Sequence, residues 1–393
     1  MFDRSLSPDT SAVELEDRYH LHVYAKLPLV VDHAEGCWVF DHEGRRYLDL
    51  YGGHAVTATG HCHPTVVEAL RRQVGELIFY SNSVYNSVRA KAAQKLLSFC
   101  PGYARVFFVN SGAEANENAI KLARALTGRT EIISLEHSFH GRTYGSLSAT
   151  GIAKYRNYLN TPVPQHRIVP AEAAPSMVGS GTAAVLVEPI QSMGGVRVIS
   201  AELLADLEKA CRHHGALLIF DEVQTGIGRT GKTFLYSQRL GLHPDICTLA
   251  KGLGSGCPVG AVLLTESVAA GVSPGDLGTT FGGSPLASAA VLATLEVVEK
   301  ERLPEHVEEV SSYLRHRLQD LSVVEEVRGQ GLLIGLTFGD RPAGEAQQYL
   351  LSRSILTGSS YDPRVLRLMP PLTLQPEHID RFVEALAEWQ EGC

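Results

Sequence analysis

Residues 215–256 read GALLIFDEVQTGIGRTGKTFLYSQRLGLHPDICTLAKGLGSG, and this stretch decides the fold. It contains two apolar runs, 216–220 and 246–250, which are too short for helices and are followed by Asp221 and Lys251. Short apolar runs between turn residues predict strands that are buried on both faces of a parallel sheet. Ligands of such sheets bind beyond the carboxyl ends of the strands, so we expect the carboxylate and the amine to face one crevice.

Three interpretations of this pair of residues are open at this point. The first is a buried ion pair without a chemical role. The second is nucleotide hydrolysis, because residues 226–233 (GIGRTGKT) match the pattern G-x-x-x-x-G-K-[ST]. The third is pyridoxal 5'-phosphate (PLP) chemistry, with Lys251 as the lysine that binds the cofactor aldehyde and Asp221 as the partner of the pyridinium nitrogen.

The nucleotide-hydrolase pattern stands in the wrong context. A phosphate-binding loop of this kind begins where its strand ends, but residues 221–225 intervene and would place a carboxylate beside the triphosphate. The acidic residue of the magnesium site also belongs on a separate strand. We therefore interpret the eight-residue match as a coincidence.

The composition indicates a large globular protein. The chain has 393 residues, of which 44% are hydrophobic, and this is enough for two or three compact units. The net charge of -8 comes without a basic block, so nucleic acid is not an expected partner. No apolar run approaches the roughly 20 residues that cross a bilayer, and residues 1–19 lack the apolar region of a signal peptide. We expect no membrane partner and a cytoplasmic location.

Cysteine and histidine usage predicts neither a disulfide framework nor a metal site. The seven cysteines are scattered without paired spacing along a long chain. Two histidine clusters, at 61–63 and at 137–140, have no second group of ligands at a suitable spacing.

Strand and helix patterns alternate along the middle of the chain, and this alternation predicts an α/β fold with a mostly parallel sheet. Further strand candidates lie at 105–109, 131–135 and 183–187, with helical patterns such as 201–214 between them.

The same patterns predict two domains. A large domain spans residues 50–285. Beyond it, helical segments and two strand candidates at 324–338 and 365–371 indicate an α+β unit. We expect residues 1–49 with 286–393 to form this small domain from both chain ends.

A candidate phosphate site follows the strand at 105–109. Residues 110–117 read NSGAEANE and pass directly into a helical pattern. A strand, a turn of small residues and a helix together direct free backbone N–H groups at an anion. An ordinary helix start with a serine N-cap explains the same letters equally well when this segment is read alone.

Seven motifs occur in order along the chain: NSGAEANE (110–117) with AIKLAR (119–124), FHGRT (139–143), EPIQ (188–191), DEVQTGIGRTG (221–231), LAKG (249–252), TTFGGSP (279–285) and RGQGL (328–332). With these motifs the chain resembles, over nearly its whole length, the class III (ornithine-type) aminotransferases of PLP fold type I. It is most similar to the branch that acts on acetylornithine or succinylornithine.

The resemblance implies PLP as the cofactor and a role for each matched residue. Lys251 binds the cofactor and then moves a proton at the substrate carbon, while Asp221 keeps the pyridine nitrogen protonated. The remaining cofactor contacts that it implies are Ser111, Gly112 and Ala113 to the phosphate, Phe139 and Val223 on the two ring faces, Gln224 to the ring hydroxyl, and Thr280 to the phosphate from a second subunit. The last contact implies a homodimer with shared active sites.

The implied reaction moves the ω-amino group of N-acetyl- or N-succinylornithine to 2-oxoglutarate, a step of arginine biosynthesis. The partners are thus a small amino donor and a 2-oxo acid acceptor. By resemblance Arg142 holds the distant carboxylate of either substrate and Arg367 holds the near carboxylate of glutamate, for which planar guanidinium groups are suited. Glu188, in the EPIQ motif, and His54, where ornithine-acting relatives have an aromatic residue that contacts the substrate, complete the expected substrate-binding set.

Residue 193 departs from the pattern of many relatives. They read E-P-x-Q-G-E-G-G, in which the second Glu pairs with the near arginine, but this chain reads EPIQSMGG. Met193 cannot pair with Arg367, and an unmasked guanidinium favours substrates with a carboxylate. The amino donor therefore stays open to 4-aminobutyrate, an acylated lysine, or β-alanine with pyruvate as acceptor. A mutase or decarboxylase of the same fold, or a binding protein without catalysis, are further alternatives, and Lys251 with Asp221 argues against the last.

Overall fold

The computed structural model describes residues 11–157 and 160–392. The α-helices are α1 (Ala12–Tyr19), α2 (Gly52–Ala55), α3 (Pro64–Glu76), α4 (Ser87–Phe99), α5 (Gly112–Thr127), α6 (Tyr144–Ala149), α7 (Ala153–Arg156), α8 (Ala174–Met177), α9 (Ala201–His214), α10 (Tyr236–Leu240), α11 (Glu266–Ala269), α12 (Pro285–Lys300), α13 (Leu303–Leu318), α14 (Ala343–Ser352) and α15 (Pro376–Glu391). Short 3₁₀ turns lie at Ala171–Ala173 and Lys251–Gly254.

The strands are β1 (Val31–Glu35), β2 (Trp38–Asp41), β3 (Arg46–Asp49), β4 (Arg105–Val109), β5 (Glu131–Leu135), β6 (His166–Val169), β7 (Thr182–Val187), β8 (Ile190–Gln191), β9 (Arg197–Val198), β10 (Leu217–Asp221), β11 (Ile246–Leu249), β12 (Gly260–Leu264), β13 (Glu326–Gln330), β14 (Leu333–Thr337), β15 (Ile355–Leu356), β16 (Gly358–Ser359) and β17 (Leu366–Leu368).

The central sheet has seven strands within the described residues, in the order β4-β12-β11-β10-β7-β5-β6. β10 pairs in parallel with β7 and β11, and β5 pairs in parallel with β7 and β6. β12 is antiparallel to both of its neighbours, β11 and β4, so β4 runs in the same direction as β11. The predicted α/β class with a mostly parallel sheet is confirmed.

Helices cover both faces of this sheet. On one face α5 packs its alanines and Ile120 against Ile219 of β10 and Val262 of β12. On the other face α9 packs Leu204 and Leu207 against the opposite side of β7 and β10. Because both faces are covered, β7, β11 and β12 are buried at every position and read as continuous apolar runs.

The carboxyl ends of the parallel strands meet at one edge of the sheet, and this edge positions the site. Ser111 follows β4, Asp221 ends β10, and Lys251 follows β11. Gly260 begins the antiparallel β12 opposite Val109, and a Cβ atom at Gly260 would lie 2.6 Å from the carbonyl oxygen of Ser111. A glycine is therefore needed for the close approach of these two segments.

Two further sheets lie outside the central one. One has the order β1-β2-β3-β15, in which β15, from late in the chain, pairs in parallel with β3. The other has the order β13-β14-β17-β16 and places Arg367 of β17 opposite Gly335 of β14. Strands from both chain ends thus share a sheet, and the division into residues 50–285 and 1–49 with 286–393 stays a prediction.

β1, β6 and β12 are among the strands that the sequence patterns do not predict. β1 and β6 lie at sheet edges and carry charged or polar residues, so they lack the apolar run of a central strand. β12 returns antiparallel after a ten-residue connection, and an alternation of strands and crossover helices does not predict such a return.

The last helix allows a direct test of its packing. α15 buries Ile379, Phe382, Val383 and Leu386, and the Phe382 side chain is 1% exposed, whereas Glu384 on the same helix is exposed. F382A removes a buried ring and leaves a cavity, so the free energy of unfolding in urea should fall by about 3–5 kcal/mol. The control E384A should change it by less than about 0.5 kcal/mol, and an equal effect of both variants would contradict this packing.

Candidate active site

A cavity of about 430 Å³ opens at the carboxyl edge of the central sheet. Most of the predicted site residues line it: Ser111, Gly112, Ala113, Phe139, Arg142, Glu188, Asp221, Val223, Gln224 and Lys251. They come from loops that follow five different strands of the sheet. The sheet topology therefore brings together residues that are up to 140 positions apart (251 minus 111).

Lys251 lies two residues after the end of β11, at the start of a 3₁₀ turn and with a positive φ of 48°. Burial lowers the pKa of its ammonium group to about 8, although the charges of Asp221 and Glu188 oppose this shift. A larger fraction of this amine is unprotonated near neutral pH than for an ordinary lysine. The site thus contains a buried amine that is able to act as a nucleophile and as a base.

Asp221 is 4% exposed and is held by groups from three other segments. Its Oδ2 accepts a hydrogen bond from Nδ2 of Asn116 (2.7 Å) and lies 2.8 Å from Nδ1 of His140. Its Oδ1 accepts from the backbone N–H of Val223 (3.1 Å). Asn116 is itself fixed because its Oδ1 accepts from the hydroxyl of Thr248 (2.7 Å). The orientation of the carboxylate at the cavity wall is therefore determined by a buried polar network.

Asn116 and His140 are members of this network that the sequence patterns do not predict. Both lie inside motifs that were recognised, NSGAEANE and FHGRT, but neither was singled out. Asn116 had a usable signal, since it shares the sheet-facing side of α5 with the buried alanines 115 and 119. A polar residue on an apolar helix face needs a buried partner.

The start of α5 forms one wall of the cavity. Ser111 is the N-cap, and its hydroxyl accepts from the backbone N–H of Glu114 (3.2 Å). The preceding N–H groups, of Gly112 and Ala113, have no intrahelical acceptor, as at any helix start, and the helix dipole makes this end favourable for an anion. A Cβ atom at Gly112 would lie 2.8 Å from a methyl group of Val223, so only glycine allows the two walls to approach this closely.

Phe139, Val223 and Gln224 line the space between these groups. The Phe139 ring packs edge-on against Tyr155 with 5.5 Å between ring centres. The Oε1 atom of Gln224 is buried and has no hydrogen-bond partner in the part of the chain that the structure describes. An unsatisfied buried acceptor at a cavity wall indicates that a ligand donor belongs there.

These groups fit PLP, which carries a phosphate, an aldehyde, a ring hydroxyl and a pyridine nitrogen. The free N–H groups of a helix start suit the phosphate, and an amine suits the aldehyde. The unpartnered Oε1 of Gln224 suits the hydroxyl, and the Asp221 carboxylate suits a protonated pyridine nitrogen.

Two charged side chains at the cavity differ strongly in exposure. Arg142 is exposed at the mouth, with its guanidinium carbon 4.0 Å from the centre of the Tyr155 ring. Glu188 is 4% exposed and accepts from the backbone N–H of Phe139 (3.2 Å). Burial, and next the charge of Asp221, raise the pKa of the Glu188 carboxyl well above its usual range.

Arg367 lies beside the cavity and is not one of its lining residues. It is 1% exposed, and burial lowers the pKa of its guanidinium group. Its Nε donates to the carbonyl oxygen of Ser359 (2.5 Å), and its Nη1 donates to the hydroxyl of Ser192 (3.0 Å). Within residues 11–157 and 160–392 it forms no ion pair with a carboxylate, so its charge is available to a ligand.

His54 also lies near the cavity without lining it. It belongs to a turn in which Gly52, Gly53, His54 and Ala55 all have φ between 55° and 67°. The Nε2 atom of His54 is 2.6 Å from the hydroxyl of Tyr51. Partial burial, and next the charge of Arg367, lower the pKa of His54 to about 4, so its ring is neutral near pH 7.

Thr280 is exposed and lies outside the cavity of its own chain. Its neighbour Thr279 accepts a hydrogen bond from Nδ2 of Asn110 (3.2 Å), directly before the helix start. The structure therefore brings together ten of the thirteen predicted site residues around one cavity and places Arg367, His54 and Thr280 outside its lining. The roles of all these residues stay predictions.

Comparison with known families decides what this arrangement is. The family model described as "Aminotransferase class-III" matches residues 20–389. The chain belongs to the class III aminotransferases. This aminotransferase is accordingly a PLP-dependent transaminase, which takes an amino donor and a 2-oxo acid as substrates.

Among curated relatives, it is similar to the acetylornithine aminotransferase of Methanopyrus kandleri, with 44% identity over 96% of this chain and 98% of that protein. It is 41% identical to the enzyme of the same name from Aquifex aeolicus, over 94% of this chain and 99% of that protein.

Solved structures show the same fold, PLP fold type I. The acetylornithine aminotransferase of Elizabethkingia anophelis has a TM-score of 0.86 and 34% identity, and the match covers 97% of this chain and 98% of that one. The ornithine aminotransferase of Toxoplasma gondii, which has PLP at partial occupancy in its active site, has a TM-score of 0.90 and 30% identity over 98% and 96% of the two chains.

Membrane and metal features were searched for in the same residues. None of the helices in the described ranges has both the length and the apolar character to cross a bilayer. The described residues also contain no group of three or more His, Cys, Asp or Glu side chains arranged to hold a metal ion.

The lowered pKa of Lys251 is testable in the cofactor-free enzyme. Acetylating reagents attack only unprotonated amines, so the rate of Lys251 modification, followed by peptide mass spectrometry, should rise with pH around a midpoint near 8. The ordinary midpoint for lysine is about 10.4. D221N removes a charge that raises this pKa, so its midpoint should move below that of the unmodified enzyme; a move upward would contradict the site geometry.

Proposed function

We propose that this class III aminotransferase moves the δ-amino group of an N-acylornithine, N-acetyl- or N-succinylornithine, to 2-oxoglutarate, and that it serves arginine biosynthesis in the cytoplasm. The observation that carries the proposal is 41–44% identity over nearly the full length of relatives that are named acetylornithine aminotransferase. The geometry of the site supports it in the following ways.

The cofactor would be held by Lys251, Asp221, Gln224 and the helix start at residues 111–113. When bound, PLP supplies an electron-accepting ring that stabilises negative charge at the substrate carbon. Asp221 would face the pyridine nitrogen of the cofactor in a fixed orientation, because Asn116 and His140 hold its Oδ2. Lys251, whose pKa is lowered to about 8, would take the proton from the substrate carbon and deliver it to the former aldehyde carbon of the cofactor.

The two arginines divide the carboxylates of the substrates between them. In an N-acylornithine the carboxylate is several bonds from the reacting amine, so it suits Arg142 at the cavity mouth. Glutamate has a second carboxylate next to its reacting amine, which suits the buried Arg367. A guanidinium buried without a carboxylate is costly, and a bound carboxylate removes this cost. Ser192, a neutral hydroxyl, makes the contact to Arg367 and leaves that charge uncompensated.

The donor is tested by half-reactions without any oxo acid. N-Acetylornithine and N-succinylornithine should convert bound PLP to its amine form, followed by absorbance. Their rate constants should exceed those of ornithine and 4-aminobutyrate by at least about tenfold, which corresponds to ~1.4 kcal/mol. Conversion by 4-aminobutyrate, an acylated lysine or β-alanine but not by either N-acylornithine would refute the proposed substrate while leaving the transaminase intact.

Exposed apolar residues around Thr280 support a homodimer with shared active sites. Phe79 packs against Phe281 with 5.2 Å between ring centres, and Nδ2 of Asn82 donates to the carbonyl oxygen of Thr279 (3.1 Å). Residues 77–85 and 279–281 thus form one surface. Its other exposed apolar side chains are Leu77, Ile78, Tyr80, Val84 and Tyr85. Such a large exposed apolar surface is typical of a protein interface. A second copy would bury it and would place Thr280 of one subunit at the phosphate end of the other subunit's cavity.

Mixed dimers test this sharing. K251A lacks the essential amine, and T280E places a carboxylate where the phosphate binds, so each homodimer should be inactive. In a mixed dimer one site combines Lys251 of one subunit with Thr280 of the other and is intact. Random mixing of equal amounts should restore about a quarter of the normal activity, because half of the dimers are mixed and each has one intact site of two. Mixed dimers, verified by differential tagging, that show no activity would contradict shared sites.

A further inference from the structure

The loop that follows Asp221 contains a buried arginine, Arg229, which is distinct from the predicted substrate-binding arginines. Its side chain is 3% exposed, and burial lowers the pKa of its guanidinium group to about 9, while Asp49 opposes this shift. Among the described residues it forms no ion pair with a carboxylate, and the groups that it binds are backbone carbonyls. An uncharged side chain would fill this space without the cost of burying a cation, so the charge needs an explanation.

The carbonyls that Arg229 binds lie just outside β14 and β17, and β17 carries Arg367. Its Nη1 donates to the carbonyl oxygen of Leu332 (3.3 Å), directly before β14, and to that of Pro370, two residues after β17. β14 and β17 are paired, with Gly335 opposite Arg367. Arg229 therefore contacts the chain at the end of β17, which carries Arg367, and at the start of β14, one of the two strands that pair with β17.

The backbone of Arg229 and the backbone at the start of β14 also contact each other directly, and they lie too close together to shift. The backbone N–H of Leu332 donates to the carbonyl oxygen of Arg229 (3.0 Å). A Cβ atom at Gly331 would lie 2.5 Å from the same oxygen, so the backbones are as close as glycine permits.

The other end of the loop, at Val223 and Gln224, lines the cavity proposed for the cofactor. Val223 and Gln224, which line the cavity, precede Arg229 by five or six residues. The backbone N–H of Gly226 donates to the carbonyl oxygen of Glu222 (2.9 Å), and that of Arg229 donates to Gly226 (3.2 Å). Backbone hydrogen bonds within the loop thus connect the residues that line the cavity to Arg229.

We propose that Arg229 is a positioning residue that fixes the β14–β17 strand pair against the loop that follows Asp221. In this way it holds the Arg367 guanidinium where the near carboxylate of glutamate binds. The proposal rests on the role proposed above for Arg367. A planar guanidinium has several donors in a fixed arrangement and reaches two carbonyls at once, which a lysine ammonium does with less directional control.

The proposal predicts an effect on one half-reaction only. Glutamate and 2-oxoglutarate use the near carboxylate site, whereas an N-acylornithine has its carboxylate at the far end, toward Arg142. Loss of Arg229 should therefore weaken the glutamate half-reaction and leave the acylornithine half-reaction nearly intact. A general loss of stability would weaken both half-reactions and the binding of PLP.

The test uses the PLP-loaded enzyme and the variant R229M, which keeps the length of the side chain without its donors. We expect kcat/KM for glutamate to fall by about tenfold to a hundredfold, mainly through KM, because displacement of a positioning group by about 1 Å has effects of this size. We expect the value for the N-acylornithine donor to change by less than about threefold, with normal PLP content. R229K, which keeps one donor group, should show a smaller loss with the same selectivity.

A matched control is available in Arg315. Arg315 is partly buried and, like Arg229, donates to two backbone carbonyls of the same sheet, those of Val327 (3.2 Å) and Gly329 (2.7 Å) of β13. R315M removes two hydrogen bonds of the same kind, but these bonds go to β13 and not to the chain next to β14 or β17. Selective loss of the glutamate half-reaction in R315M as well would overturn a specific role of Arg229.

A double-mutant cycle separates this proposal from the proposed function. If R367M does not selectively weaken the glutamate half-reaction, the assigned role of Arg367 is wrong, whatever R229M does. If R367M does weaken it selectively, the R229M substitution should cause no further fall in kcat/KM for glutamate in the double variant R229M/R367M, because Arg229 acts through Arg367. Additive losses, or equal losses in both half-reactions, would overturn the positioning role. If R229M does not fold, the same comparison with R229K decides.

Discussion

The buried carboxylate of Asp221 is the constraint on which the rest of the site depends. A carboxylate at the edge of an apolar sheet is stable only when its oxygens are hydrogen-bonded, and here the bonding groups come from α5, from the loop after β5 and from the residues that follow β10. These segments must all be in place before the charge is tolerated. Since two of them also carry Ser111 and Phe139, satisfying one carboxylate orders much of the cofactor cavity.

Burial then gives the remaining charged groups their properties. The same low polarity that makes an unpartnered ion costly lowers the pKa of Lys251 to about 8 and raises that of Glu188. Arg367 and Arg229 are both buried cations without a carboxylate partner in the described chain, but they differ in what they face. Arg229 is bound to the backbone carbonyls of Leu332 and Pro370, whereas Arg367 donates to the neutral hydroxyl of Ser192 and to one backbone carbonyl.

Much of the fold and the centre of the site were predictable from the sequence because they follow from local patterns. Continuous apolar runs mark β10 and β11, and the polar residues at their ends, Asp221 and Lys251, must then share one edge. The network around them was not predictable in the same way. Arg229 and Leu332 are 103 residues apart, and nothing near Arg229 indicates that it reaches a second sheet. The contact of Ser192 with Arg367 spans 175 residues, and the departure from the family pattern at position 193 does not by itself indicate that residue 192 makes this contact.

The pairing of β15 with β3 has a consequence for the order in which the protein is assembled during translation. All strands of the central sheet lie between residues 105 and 264, so the cofactor edge is complete when about two thirds of the chain has left the ribosome. β3 finds its parallel partner only when residues 355–356 follow, and β17, with Arg367, comes later still. The newly made enzyme therefore contains the sheet edge with Asp221, Lys251 and Arg142 before it contains the buried Arg367.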